Sequence, residues 1–173
     1  YEGMPWGEWE SFPEYLDFLG RRSWTVDVAA QLAHGALRFF VMGERAVRFK
    51  DCTADDLAAM STLVEQAVAA GAAGFSTSRI RVHRAMSGYA VPGTFAPEDE
   101  LSAIADAVRR GGGAVFQVIP ASAVGEYAGG KREQATVADE VRMMGRLSRR
   151  TGLPFTFSTF QTDQPADGWR QAL

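Results

Sequence analysis

Ala70-Gly71-Ala72-Ala73-Gly74-Phe75-Ser76-Thr77 joins the end of a helix to the start of a strand with almost no chain between them. Upstream, Leu57, Met60, Val64, Ala67 and Val68 recur at helical spacing and make one apolar stripe. Gly71 stops that helix, because glycine tolerates the left-handed conformation of a C-cap. A strand over residues 73–77 then follows. The helix start is equally legible. The Thr53 hydroxyl can cap free backbone N–H groups, and Asp56 places an acid at the positive end of the helix dipole.

The same grammar extends in both directions. Residues 28–34, rich in Val, Ala and Leu, read as an earlier strand, followed by a long connecting stretch over residues 35–52. Downstream, Pro97 suits a first helical position with Glu98, Asp99 and Glu100 in the first turn, and Leu101, Ile104, Ala105 and Val108 form the stripe. Gly111-Gly112-Gly113 ends that helix. A third strand, residues 114–119, is nearly continuous in its apolar character, as expected for a strand covered on both faces. A long loop leads to a helix over residues 135–150, and Gly152-Leu153-Pro154 opens a fourth strand over residues 155–160. Near the start, Met4, Trp6, Trp9, Phe12 and Tyr15 cluster around a short helix over residues 13–19, a pattern that reads as packing.

Alternation of this kind predicts parallel βαβ units. Strands recur roughly every 40 residues, above the spacing of a minimal barrel, which leaves room for enlarged loops. Helix-to-strand loops are minimal and strand-to-helix loops are long. In parallel α/β folds the long loops gather at the C-terminal strand ends, where active sites lie. The reading is therefore α/β: part of a TIM-like (β/α)8 barrel, about four βα units, with residues 1–173 as a single segment and no linker.

Composition narrows the function. The 173 residues are 46% hydrophobic and 23% charged, with net charge −3, an ordinary globular balance with no basic stripe for nucleic acid. The single cysteine, Cys52, excludes an intramolecular disulfide and a thiolate-rich metal site, and fits a cytoplasmic setting. No apolar run approaches the roughly 20 residues that span a bilayer. The expected partner is a small molecule, with no nucleic acid and no membrane.

Candidate site residues follow from the strand ends. His34 closes the first strand, where an imidazole could orient a carbonyl, hold a neighbouring group, bind metal or sit buried on backbone partners. Beyond the second strand, Arg79, Arg81, His83 and Arg84 could grip a substrate carboxylate through bidentate bonds, or be ordinary surface charges. Gln117 and Ser158, with Thr159 and Gln161, can hydrogen-bond a ligand but make poor acid–base catalysts. Ser76 lacks the nucleophile-elbow pattern of a serine hydrolase.

Several of these stretches, in order, resemble the D-aminoacylase (N-acyl-D-amino-acid deacylase) group of the amidohydrolase superfamily, amidohydrolase family 3. They are Met4-Pro5-Trp6 with Trp9, Phe12-Pro13-Glu14-Tyr15-Leu16, His34-Gly35-Ala36-Leu37-Arg38 with Val41-Met42-Gly43, residues 70–77 and Gly111-Gly112-Gly113. The resemblance implies an internal piece of a longer barrel, about its third to sixth strands. It implies hydrolysis of a small N-acylated compound at a C–N amide bond by water that zinc activates.

By the same resemblance the zinc ligands lie mostly outside this chain. The group's H-x-H pair belongs to the first barrel strand and its catalytic Asp to the last. Its remaining histidine ligands close the fifth and sixth strands. The matching stretches here read Val115-Phe116-Gln117-Val118 and Phe157-Ser158-Thr159-Phe160, without histidine. No catalytic residue and no metal ligand is therefore assigned within these residues. The rival readings are a metal-free barrel homologue that binds a small ligand, and a doubly wound binding domain. The latter lacks a phosphate-cradling glycine pattern after any strand. Half a barrel also leaves unpaired strand edges, so the rest of the barrel, or a second copy in a homo-oligomer, is an expected partner.

Overall fold

The computed structural model describes residues 5–121, 136–159 and 170. Met4, Phe160, Gln161 and most of the loop expected over residues 120–133 lie outside the described residues. The elements run α1 Phe12–Gly20, β1 Gln31–Ala33, α2 His34–Met42, α3 Glu44–Val47, α4 Ala54–Ala69, β2 Gly74–Ser78, α5 Glu98–Arg110, β3 Val115–Ile119, α6 Val137–Thr151 and β4 Phe155–Phe157. The four strands form one parallel sheet in the order β1-β2-β3-β4. Sequential neighbours joined by helical crossovers are the arrangement of part of a barrel.

Helix boundaries follow from capping chemistry. Thr53 caps α4 and Thr136 caps α6, each in a reciprocal box with the acid three residues on, Asp56 and Asp139. Ser11 and Glu14 do the same for α1, with Pro13 in its first turn. Pro97 sits at the cap position of α5, just before the first helical residue where the sequence placed it, and brings no side-chain cap. Gly152, at φ +72, closes α6 in the left-handed conformation.

Register places Leu32, Phe75, Phe116 and Phe155 on one face of the sheet, with Thr77, Val118 and Phe157. This face is the core. It packs against Met60 and Val64 of α4, Leu101, Ile104 and Val108 of α5, and Met144 and Leu147 of α6. Aromatic rings run across it: Phe75 and Phe116 lie 5.1 Å apart, and Phe116 stacks on Phe155 at 4.8 Å. The opposite face carries Ala33, Ser76, Gln117 and Thr156 side by side, half-buried or exposed. The sequence predicts a β3 covered on both faces; within the described residues only its core face is fully buried. Val115, Gln117 and Ile119, on the other face, are half-buried.

Two further corrections concern the first unit. The strand expected over residues 28–34 is confined to Gln31–Ala33, preceded by one hydrogen bond from Ala73 N–H to the Ala30 carbonyl. The stretch after it is no open loop: His34 itself opens α2, and α3 follows. The helical period there was masked because the inward stripe of α2 is His34, Leu37, Arg38 and Met42, two of them polar, while Phe39 and Phe40 point outward.

Gly74 sits where β2 and β3 approach most closely, and a Cβ there would run into the Val115 carbonyl oxygen. A backbone atom in a central strand pair cannot step aside. Gly74→Ala should therefore lower unfolding free energy by about 3 kcal/mol, at the upper end of overpacking costs. Gly20→Ala, with open space around it, should be near neutral. Urea denaturation of both variants checks the contrast.

Candidate functional site

At the C-terminal ends of β1–β3 the open face leads into a cleft of about 360 Å³, walled by Gln31, Ser76, Ser78, His83, Pro92 and Gln117. Ser76 and Gln117 are direct cross-strand neighbours, with Thr156 next in the same row. The wall is held from behind by a buried polar cluster. His34 Nε2 lies 2.8 Å from Glu100 Oε1, and His34 Nδ1 lies 2.9 Å from Thr77 Oγ1. Arg38 Nε approaches the same Glu100 oxygen at 3.3 Å in an ion pair without hydrogen-bond alignment. Arg38 also donates from Nη2 to the Lys50 carbonyl, and the Cys52 thiol donates to Glu100 Oε2 at 3.1 Å. His34, Arg38 and Glu100 are 1%, 4% and 2% exposed.

Their protonation follows from this setting. Burial disfavours imidazolium and pushes the His34 pKa down, against the pull of the Glu100 carboxylate. For Glu100, burial alone raises the pKa. The hydrogen bond from His34, the charge of Arg38 and the Cys52 hydrogen bond outweigh burial and hold it below the ordinary 4.5. The consistent state is an ionised Glu100 balanced by Arg38, with a neutral His34. Because a carboxylate only accepts, the Nε2 proton is donated to Glu100, and Nδ1 accepts from the Thr77 hydroxyl. Burial, then the bond to Glu100, pushes the Cys52 thiol up to about 11, so it stays protonated.

The loop between β2 and α5 rests directly on this cluster. Gly93 has φ +93, and a Cβ there would meet the His34 ring at 2.7 Å, so only glycine lets the loop lie this close. Phe49, in the left-handed region at φ +53, turns its ring edge-on to Phe95 at 5.2 Å and ties the segment before α4 to the same loop. Arg79, which begins the loop, donates from Nε to both Glu140 carboxylate oxygens at 3.2 and 2.9 Å, and from Nη1 to the Ala96 carbonyl at 2.8 Å.

The candidate residues therefore occupy different places. Gln117 and His83 wall the cleft. His34 lies behind the wall with both ring nitrogens engaged, by side chains rather than by backbone. The guanidinium of Arg79 is committed to Glu140 and the loop. Arg81 lies over the Phe95 ring at 5.4 Å, and Arg84 donates to the Gly88 carbonyl of its own exposed turn. Ser158 follows β4 half-buried, its N–H donating to the Val118 carbonyl. Glu100 was missed because it sits among three consecutive acids that read as a solvated first turn. Its signal is positional: it precedes Ile104 by four residues and so falls on the buried stripe.

No family model matches the chain, and no curated protein does. Among solved structures it is similar to the N-acyl-D-glutamate deacylase of Bordetella bronchiseptica, complexed with zinc and a phosphonate inhibitor that mimics the tetrahedral intermediate of the reaction. Identity is 25% and the TM-score 0.60; the match covers 84% of this chain and 26% of that one. The resemblance to the deacylase group thus holds in three dimensions, and the parallel four-stranded sheet matches part of a barrel deacylase.

Zinc does not fit the described residues. The strand ends offer Ser78, Ile119 and Ser158, with Gln117 below, and none is an imidazole, thiolate or carboxylate donor. His34, Cys52 and Glu100 do adjoin, but they hydrogen-bond one another and the Arg38 guanidinium already supplies the cation. Among the described residues no group of three His, Cys, Asp or Glu side chains could hold a metal ion.

A neutral buried His34 makes stability pH-dependent with a definite sign. Its folded pKa lies below the ordinary 6.5, so below about pH 6.5 the unfolded chain binds the extra proton first and stability falls with pH. Glu100 adds a further loss only below its ordinary 4.5. Thermal melts should therefore drop between pH 7 and pH 5, and His34→Gln should flatten that slope while lowering the melting temperature at pH 7. Equal slopes in the two proteins would contradict the neutral assignment.

Proposed function

We propose that the protein is an amidohydrolase-type hydrolase that cleaves a C–N amide bond in a small N-acylated compound of the N-acyl-D-amino-acid type. The observation that carries this reading is the cleft at the C-terminal ends of a parallel sheet whose fold matches a deacylase. In this reading Gln117 and His83 contact the substrate directly, and Ser158 extends the same polar edge toward the next strand. His34 acts on the cleft from behind, by fixing Thr77 and the Pro92-Gly93 turn. Arg79 braces the loop through Glu140, while Arg81 and Arg84 lie on the loop that rims the cleft.

The part these residues play is binding and orientation. Holding the scissile amide in one pose removes rotational freedom before the chemical step. A second reading, a barrel homologue that binds the ligand without hydrolysing it, is favoured by one feature: strand ends that carry serine and isoleucine in place of metal-binding side chains.

The full-length protein that contains this segment, supplied with zinc and a panel of N-acetyl-D-amino acids, should release free amino acid, whereas these 173 residues alone should be inactive. Gln117→Leu should lower kcat/KM about tenfold, the equivalent of one lost hydrogen bond of about 1.4 kcal/mol. Binding of the same compounds with no release would establish the second reading.

A further inference from the structure

The His34 ring is buried with both nitrogens engaged, Nε2 by Glu100 Oε1 at 2.8 Å and Nδ1 by Thr77 Oγ1 at 2.9 Å. Titratable and charged groups reach this cluster from each element packed around it. Arg38 comes from the same helix, Glu100 from α5, Cys52 from the segment before α4 and Arg79 from just beyond β2. A proton on His34 would set a second cation beside the one Glu100 carboxylate, in a site shielded from solvent, and both Arg38 and Arg79 oppose it. Glu100, held below 4.5, keeps its charge in mild acid.

The cover over this ring is thin on one side. The Pro92-Gly93 turn lies against it: a Cβ on Gly93 would stand 2.7 Å from Nδ1 and 3.0 Å from Cε1. A Cβ on Gly35 of α2 would stand 3.2 Å from the Pro92 carbonyl oxygen, so a glycine on each partner lets turn and helix meet. Within itself the turn is held by two backbone bonds, Thr94 N–H to the Val91 carbonyl and Ala96 N–H to the Gly93 carbonyl, and by the Thr94 hydroxyl on Val91. The other elements around the ring are fixed by the sheet and its core. The turn also borders the cleft, where Val91, Pro92 and His34 are all lining residues. It is the part that can open to water at least cost.

We propose that His34 is an acid-sensitive latch: while neutral it holds the Pro92-Gly93 turn closed, and on protonation the turn lifts and joins the ring to the cleft before the sheet unfolds. The cleft then has a closed form at neutral pH and a widened form in mild acid. The latch is a property of the fold and stands whether or not the cleft hydrolyses an amide. Opening is favoured below the ordinary 6.5 of a freed ring, by up to about tenfold for each further pH unit.

Hydrogen exchange read by mass spectrometry on the full-length protein that contains this segment tests the latch, with each rate normalised to its intrinsic value at that pH. Between pH 7 and pH 5 the amides of residues 91–96 should lose about tenfold in protection, while those of α4 and of the β2–β3 ladder keep theirs. His34→Gln should abolish the difference. His83→Gln, which removes the imidazole of the loop itself, should leave it in place. Gly93→Ala, which drives a Cβ into the ring, should show the low protection at both pH values, a readout independent of whether His34→Gln folds. Unchanged protection between pH 7 and pH 5, a loss spread equally over the sheet, a loss that persists in His34→Gln or vanishes in His83→Gln, or native protection in Gly93→Ala would each overturn the proposal.

Discussion

A carboxylate with almost no solvent access, Glu100, fixes the arrangement of everything around it. Water cannot solvate its charge, so the protein must, with groups drawn from two other segments. His34 and Arg38 come from α2, and Cys52 from the segment leading into α4. Glu100 itself stands in the first turn of α5, where the helix dipole adds favourable potential. Buried pairs of this sort add little net stability, but breaking one typically costs about 3–5 kcal/mol, because the survivor is left unpaired in a poor solvent. The consequence is specificity of geometry. Few relative placements of α2, α5 and the intervening loop satisfy all partners at once.

That geometry passes to the cleft through two contacts. Thr77 ties β2 to the His34 ring, and Gly93 lays the β2–α5 loop on the same ring. Ser76 and Ser78, on either side of Thr77, point to the opposite face and into the cleft. One residue of β2 thus reports to the buried charge while its neighbours line the cleft. His34 also continues the aromatic row of the core, 5.3 Å from Phe75, so the site is held by the same packing that holds the sheet.

Most of the fold could be read from the chain because its signals are local. Thr53 with Asp56, Gly71 and the stripe from Leu57 to Val68 each act within one helix, and β2, α4, α5 and β3 appear within a residue or two of their expected bounds. The first unit was harder because its helix buries a histidine and an arginine, so polar residues occupy the positions where apolar ones mark the period. The site was legible only in part. Position on a strand and on the loop beyond one singled out Gln117 and His83, which line the cleft. It could not show that Arg79 pairs with Glu140, 61 residues away, or that His34 meets Glu100, 66 residues away. Those partnerships are properties of the packed layers, and they make braces of Arg79 and His34, two of the five candidate cations and imidazoles.

In the proposed function a ligand sits on the open face against Ser76 and Gln117 while the His34–Glu100 pair stays closed behind it. A crystal structure of the protein with an N-acyl-D-amino acid tests this most directly. Ligand hydrogen bonds to the Gln117 amide are expected, with His34 still between Thr77 and Glu100. A ligand bound elsewhere, or a His34 ring turned out of its cluster to touch it, would contradict it.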